Sequence, residues 1–177
     1  MTTDNKKLHI YTGQGKGKTT AAAGQILRAS ASGLHVLFVY FNKVSPEKGG
    51  EDKLLQKLDN AEVKFFAQKH PSFFPETSPE NMTAQTLEGL EFVRNYLKKN
   101  KTDMVILDEI LISVKDGFIQ EEKLIEFLDS YLKNSEVILT GRGATPALIE
   151  KADMVSEIVN VKHYYDKGQR TRAGIER

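Results

Sequence analysis

Short, nearly continuous apolar runs alternate along the chain with longer stretches whose apolar residues recur at helical spacing. Leu8 to Thr12 is β-branched and aromatic, ends at a glycine run, and predicts a buried strand. Thr19 to Ser32 has helical character and stops at Gly33. Val36 to Phe41 is apolar throughout, the pattern of a strand covered on both faces. A polar loop from Lys43 to Gly50 follows, with Pro46 and a glycine pair, then a short amphipathic helix near Asp52–Leu58. Val63 to Ala67 predicts a third strand, and Gln68 to Pro79, rich in proline and aromatics, a loop. Ser78 and Pro79 supply an N-cap and first-turn pair for a helix running to about Lys99. Met104 to Glu109 predicts a strand ending in two carboxylates. Glu121–Leu132 then reads as helix, Val137–Thr140 as strand, Pro146–Ala152 as short helix and Val155–Val161 as a last strand before a polar tail. Strands alternating with helices imply βαβ units, hence one three-layer α/β domain with a mostly parallel sheet over residues 1–177.

Length and composition agree with this picture. A chain of 177 residues suffices for one core and is short for two domains. Lys+Arg 25 against Asp+Glu 24 leaves +1, so there is no global basic field to capture nucleic acid. With Cys 0 there is no disulfide framework or thiolate metal site, which fits a reducing cytosol. Met1 to Lys7 lacks the apolar core of a secretory signal. The most apolar stretch, Leu34 to Phe41, falls far short of the roughly 20 residues that span a bilayer. The expectation is a cytoplasmic protein without membrane or nucleic-acid partners.

The chemistry concentrates first at Gly13-Gln14-Gly15-Lys16-Gly17-Lys18-Thr19, between the first predicted strand and helix. Holding a triphosphate requires several amides pointing into one small space at a helix N-terminus, with no Cβ where the chain turns tightly. Gly13, Gly15 and Gly17 meet that need, Lys18 brings a mobile cation, and Thr19 a hydroxyl able to ligate Mg²⁺. The common P-loop spacing, G-x-x-x-x-G-K-[ST], would place glycine at position 12, where this chain has Thr12. Nucleotide binding follows from the loop; ordinary γ-phosphoryl transfer does not.

The second concentration is Asp108-Glu109. Ligands of open α/β sheets sit beyond the carboxyl ends of the strands, so this strand delivers two oxygen donors toward the loop, where Mg²⁺ needs them. A surface acid at the end of a buried strand is the alternative.

Four blocks together resemble the P-loop ATP:corrinoid adenosyltransferases of the cobalamin pathway. Gly13 to Thr20 with Ala21-Ala22 is similar to their G-N-G-K-G-K-T-T-A-A, Val105–Glu109 covers their V-L-D-E, and Thr140-Gly141-Arg142-Gly143 matches their T-G-R-G. Val161-Lys162-His163 through Gly168, with Gly174-Ile175-Glu176, is similar to their terminal V-K-H-x-x-x-x-G…G-I-E. The resemblance implies a RecA-like P-loop fold and transfer of the 5′-deoxyadenosyl group of ATP to the Co(I) of a reduced corrinoid, with triphosphate released. It implies ATP and a cob(I)alamin or precursor corrinoid as substrates, Mg²⁺ as cofactor, an electron donor such as a flavoprotein, and a homodimer. Carried onto this chain, Gly13, Gln14, Gly15, Lys16, Gly17, Lys18, Thr19 and Thr20 cradle the phosphates, and Arg28 matches a family arginine near the nucleotide. Thr19, Glu109 and Asp108 form the metal site, while Lys18, Glu109 and Arg142 act on the reaction. Phe73 and His163 face the corrinoid. For Arg28 a solvated helix face is the alternative, and for Arg142 a turn-stabilising hydrogen bond.

The chain departs from the family in places. Gln14 replaces asparagine. In the loop after the third strand, Phe73 stands for the phenylalanine of a G-F-T-W segment and Pro75 falls where tryptophan would be. A loop pinned to the core by Phe73 and Phe74 is the competing reading there, with His70 a further candidate for corrinoid approach. His9 and His35 read as structural. Lys48 to Asp52 reads as a closing loop or a plain solvated turn. Two other functions remain open at this stage: a P-loop kinase or ATPase releasing ADP or phosphate, and a non-enzymatic nucleotide-dependent switch. Thymidine kinases with a four-cysteine zinc site do not fit a chain without cysteine.

Overall fold

The computed structural model describes residues 6–43 and 51–175. Six strands run β1 (Leu8–Thr12), β2 (Val36–Phe41), β3 (Ala61–Phe66), β4 (Met104–Asp108), β5 (Glu136–Thr140) and β6 (Met154–Glu157). All pairings are parallel, in the order β3-β2-β4-β5-β1-β6. The helices are α1 (Lys18–Ala31), α2 (Asp52–Leu55), α3 (Pro79–Lys99), α4 (Ile110–Lys115), α5 (Glu121–Tyr131) and α6 (Pro146–Lys151), with a 3₁₀ turn at Tyr164–Lys167. Parallel strands need crossovers, and these helices provide them on both faces of the sheet.

Period-2 alternation splits the apolar residues of each central strand between two cores. Leu37, Val39 and Phe41 of β2 join Val105, Leu107 and Leu139 against α3, α4, α5 and α6. Val36, Phe38 and Tyr40 join Ile106 and Ile138 against Ala22, Ala23 and Ile26 of α1 and Leu55 of α2. The same alternation sends Asp108 and Thr140, the last residues of β4 and β5, to the α1 face. Because every strand points the same way, all six carboxyl ends open onto one edge.

The predicted strands and helices are present, with adjusted limits. Ser78 Oγ accepts the Asn81 amide at 3.2 Å and Pro79 opens α3 as read from the sequence. The first differences concern β3, which ends before Ala67 because that residue turns left-handed at φ 51°, and β4, which ends at Asp108 because Glu109 does the same at φ 59°. The unexpected α4 follows at once; its run ILISVK is apolar on nearly all sides and carries no helical period of its own. β6 covers Met154–Glu157, not Val155–Val161: its four residues are exposed at the sheet edge, and Ile158 leaves the ladder. Positions 44–50 of the expected polar loop, and Glu176 of the terminal block, lie outside the described residues.

Helix α3 lies close to the sheet at Gly89, where an added Cβ would come within 2.6 Å of the Phe41 ring and 3.0 Å of the Phe66 ring. Gly24 in α1 is exposed, and a Cβ there would meet nothing within 4 Å. Gly89→Ala therefore destabilises by about 1–3 kcal/mol through overpacking, while Gly24→Ala stabilises by about 0.5–1 kcal/mol through helix propensity. Thermal melts of the two variants should move in opposite directions.

Candidate functional site

The loop between β1 and α1 is shaped by the chain that follows β6. The Gly15 amide donates to Ile158 O at 2.7 Å, and the Ile158 amide donates to Thr12 O at 2.9 Å. A Cβ on Gly13 would lie 2.4 Å from Ile158 O, and one on Gly15 2.8 Å from the same atom. These glycines are thus required by a neighbouring backbone as well as by the turn. Thr12, at the place of the usual first glycine, is the buried last residue of β1, and its Oγ1 accepts the Ala144 amide at 3.4 Å. A threonine fits there because the position belongs to the strand.

Lys18 is buried at the head of α1 and donates from Nζ to Gly13 O at 2.9 Å and Gly15 O at 2.8 Å. Burial lowers its pKa, and the Arg142 charge adds to this, while Glu109 and Asp108 oppose it. Gln14, Lys16 and Thr20 are exposed around the loop. Lys16 Nζ reaches the Tyr164 hydroxyl at 3.3 Å, which brings the terminal block beside the loop.

Three elements meet at Asp108. Thr19 Oγ1 of α1 donates to Asp108 Oδ2 at 3.0 Å, and Thr140 Oγ1 of β5 donates to Asp108 Oδ1 at 2.6 Å. Thr140 Oγ1 in turn accepts the Glu109 amide at 2.9 Å, which fixes the direction of its own proton. Both Asp108 oxygens are thereby engaged. Burial, and then the Glu109 charge, push the Asp108 carboxyl up to about 7. Glu109 also rises through burial, opposed by Lys18, Arg142 and Lys43, and its Oε2 is buried with no hydrogen-bond partner among the described residues.

Arg142 is exposed in the turn after β5, close enough to act electrostatically on Lys18 and Glu109. Arg28 is elsewhere. It occupies the last turn of α1, exposed, about 15 Å along the helix from Lys18.

Phe73 is 81% exposed, in the loop after β3. That loop is fastened by His70, not by a phenylalanine pair. His70 Nε2 lies 2.9 Å from Asp116 Oδ2, its Nδ1 accepts the Ser72 amide at 3.2 Å, and its ring packs on Phe118 at 5.5 Å. His163 caps the 3₁₀ turn by accepting the Tyr165 amide at 3.0 Å and lies against the Tyr164 ring. His9 and His35, at the beginnings of β1 and β2, face Glu136 at 2.8 Å and Asp103 at 3.7 Å. Asn42, whose Nδ2 donates to Glu109 O at 3.2 Å, carried no sequence signal beyond its place after a buried strand. Among the described residues no group of three His, Asp or Glu side chains could hold a metal unaided, and no helix is long and apolar enough to cross a membrane.

The buried Asp108 makes the stability of the ligand-free protein depend on pH. Its carboxyl holds a proton up to about 7 in the fold, against 3.8 ordinarily. The folded state therefore binds more protons than the unfolded state between those values, and stability falls as pH rises through the window. The steepest contribution is about 1.4 kcal/mol per pH unit. Denaturant titrations from pH 4 to 7 should show this decline, and Asp108→Asn should flatten it.

Comparison with known proteins agrees with the geometry. Residues 4–177 match the family model described as ATP:corrinoid adenosyltransferase BtuR/CobO/CobP. The corrinoid adenosyltransferase of Escherichia coli K12 is 34% identical over 167 residues, 94% of this chain and 83% of that protein. Corrinoid adenosyltransferase CobA of Salmonella typhimurium is 34% identical over the same shares. A corrinoid adenosyltransferase of a Sinorhizobium species is 32% identical over 176 residues, 98% of this chain and 82% of that protein. By this match over nearly its whole described length, the chain belongs to the ATP:corrinoid adenosyltransferase family.

Proposed function

We propose that this protein transfers the 5′-deoxyadenosyl group of ATP to the Co(I) centre of a reduced corrinoid and releases triphosphate. The observation that carries the assignment to particular residues is the meeting of Thr19 and Asp108 at 3.0 Å, with Lys18, Glu109 and Arg142 grouped around them. The cobalt of the substrate is the nucleophile. Its electron pair forms the Co–C5′ bond while the C5′–O5′ bond breaks and its pair leaves on the triphosphate. No proton moves, so the site needs no general base. Its work is to hold ATP, stabilise the departing anion and exclude water.

The loop from Gly13 through Gln14, Gly15, Lys16, Gly17, Lys18 and Thr19 to Thr20 surrounds the triphosphate at the head of α1. Lys18 and Arg142 supply the countercharge that grows in value as the leaving group separates. Arg28 stands outside this set. The residues also fit a hard divalent cation: Glu109 Oε2 is an orphaned buried oxygen, and Thr19 gives its proton to Asp108, leaving its lone pairs free to ligate. Mg²⁺ would be held by Thr19 and Glu109, with Asp108 fixing the threonine, and would supply charge neutralisation for the triphosphate. Exposed Phe73, in the loop after β3, and His163, in the segment after β6, approach the corrinoid from the two ends of the strand row. A cytoplasmic setting, an electron donor such as a flavoprotein and a homodimer belong with this reading; Val161, 90% exposed on the tail, is one apolar side chain a second copy could cover.

Anaerobic incubation with ATP, Mg²⁺ and chemically reduced cobalamin should give an alkyl-cobalt spectrum and inorganic triphosphate. ADP with phosphate and no alkyl-cobalt would instead assign a kinase or ATPase. Lys18→Ala should lower turnover by about 10²–10³-fold. Phe73→Ala should raise the corrinoid KM by about tenfold with ATP affinity unchanged; full corrinoid turnover in that variant would remove Phe73 from the corrinoid site.

A further inference from the structure

Two side-chain-bearing residues at the site edge hold left-handed backbone, Asn42 at φ 56° and Glu109 at φ 59°. Asparagine tolerates that region; glutamate does not, and persists there only where its surroundings hold it. At Glu109 both backbone polar groups meet side chains from the flanking strand ends, and the carbonyl also accepts the Ile112 amide of α4 at 3.1 Å. Its N–H donates to Oγ1 of Thr140, the last residue of β5, at 2.9 Å, and its C=O accepts Nδ2 of Asn42, the residue after β2, at 3.2 Å. The same Nδ2 reaches Ser113 Oγ of α4 at 2.9 Å, and Ser113 Oγ lies 3.5 Å from Thr86 Oγ1 of α3. Reversing the Asn42 amide would set Oδ1 against the Glu109 carbonyl, so the orientation is dictated by its partner.

The turn at Glu109 is what keeps its carboxylate at the sheet edge. The chain passes from β4 into α4 within one residue, and the side chain stays where Lys18, Arg142 and Lys43 act on it. We infer that Asn42 is a positioning residue for Glu109: its amide clamps the Glu109 peptide in the left-handed turn and so sets the affinity of the site for the divalent-cation complex of ATP. The inference rests on Glu109 being a cation ligand, as proposed above.

The test is a double-mutant cycle on the full chain, read as affinity for Mg²⁺–ATP and for ATP in chelator by calorimetry. Asn42→Gly suits the backbone conformation and removes the amide; Asn42→Asp keeps the shape and the left-handed tolerance but loses the donor. Each should weaken Mg²⁺–ATP binding by about tenfold and leave cation-free ATP binding unchanged. In a Glu109→Ala background the same changes should have no further effect, because Asn42 would act only through Glu109. Additive losses in the cycle, or an Asn42→Asp chain that binds like the parent, would overturn the inference. Normal Mg²⁺–ATP binding by Glu109→Ala alone would overturn it together with the cation assignment, while alkyl-cobalt formation by the parent chain judges adenosyl transfer separately.

Discussion

A fully buried carboxylate is the constraint around which the site is arranged. Asp108 has no access to water, and an acid in that position is tolerable only if its oxygens are hydrogen-bonded or its charge is removed. Thr19 and Thr140 satisfy both oxygens, and in doing so they join the start of α1, the end of β4 and the end of β5. The phosphate loop, the Glu109 turn and the Arg142 turn each lie one step from this junction. Remove it, and the three would lose the one side chain that ties α1 to both strand ends.

The all-parallel sheet makes such a junction possible. Every strand delivers its last residue to the same edge, and alternation decides which face that residue takes. Asp108 and Thr140 share a face with α1 because Ile106 and Ile138, two residues earlier in their strands, pack there too. The positive groups are distributed differently. Lys18 is buried and bonded to loop carbonyls, whereas Arg142 is exposed, so one cation is preorganised and the other is free to meet a ligand's shape. A leaving group whose charge spreads over many oxygens is suited by that combination of fixed and adaptable countercharge.

What the sequence made legible was what depends on local pattern. The run Val36–Phe41, the Ser78-Pro79 helix start and the strand–loop–helix around Gly13–Thr19 each carry a signal within a few neighbouring residues, and each stands in the fold as read. Less legible were features decided by partners distant in sequence. Nothing near Glu109 announces a left-handed turn, since the groups that hold it come from Asn42 and Thr140. Helix α4 was hidden because its short run of mostly apolar residues shows no period that distinguishes it from a buried strand. The loop bearing Phe73 suggested an aromatic anchor, yet a histidine–aspartate contact between His70 and Asp116 fastens it. The carboxylate pair at the end of β4 was legible; that Asp108 braces Thr19 while Glu109 keeps an open oxygen is visible only in three dimensions.

The least buried strand, β6, has an architectural consequence. It contributes four exposed residues to the sheet edge and adds nothing to either core. Yet the residue after it donates to Thr12 O and receives the Gly15 amide, so the chain's last third forms one wall of a loop built from its first twenty residues. Losing β6 would also turn β1 into an unpaired sheet edge, open to pairing with other chains. The unit that shapes the glycine-rich loop therefore runs from β1 to beyond β6, because Ile158 supplies both backbone contacts that hold it.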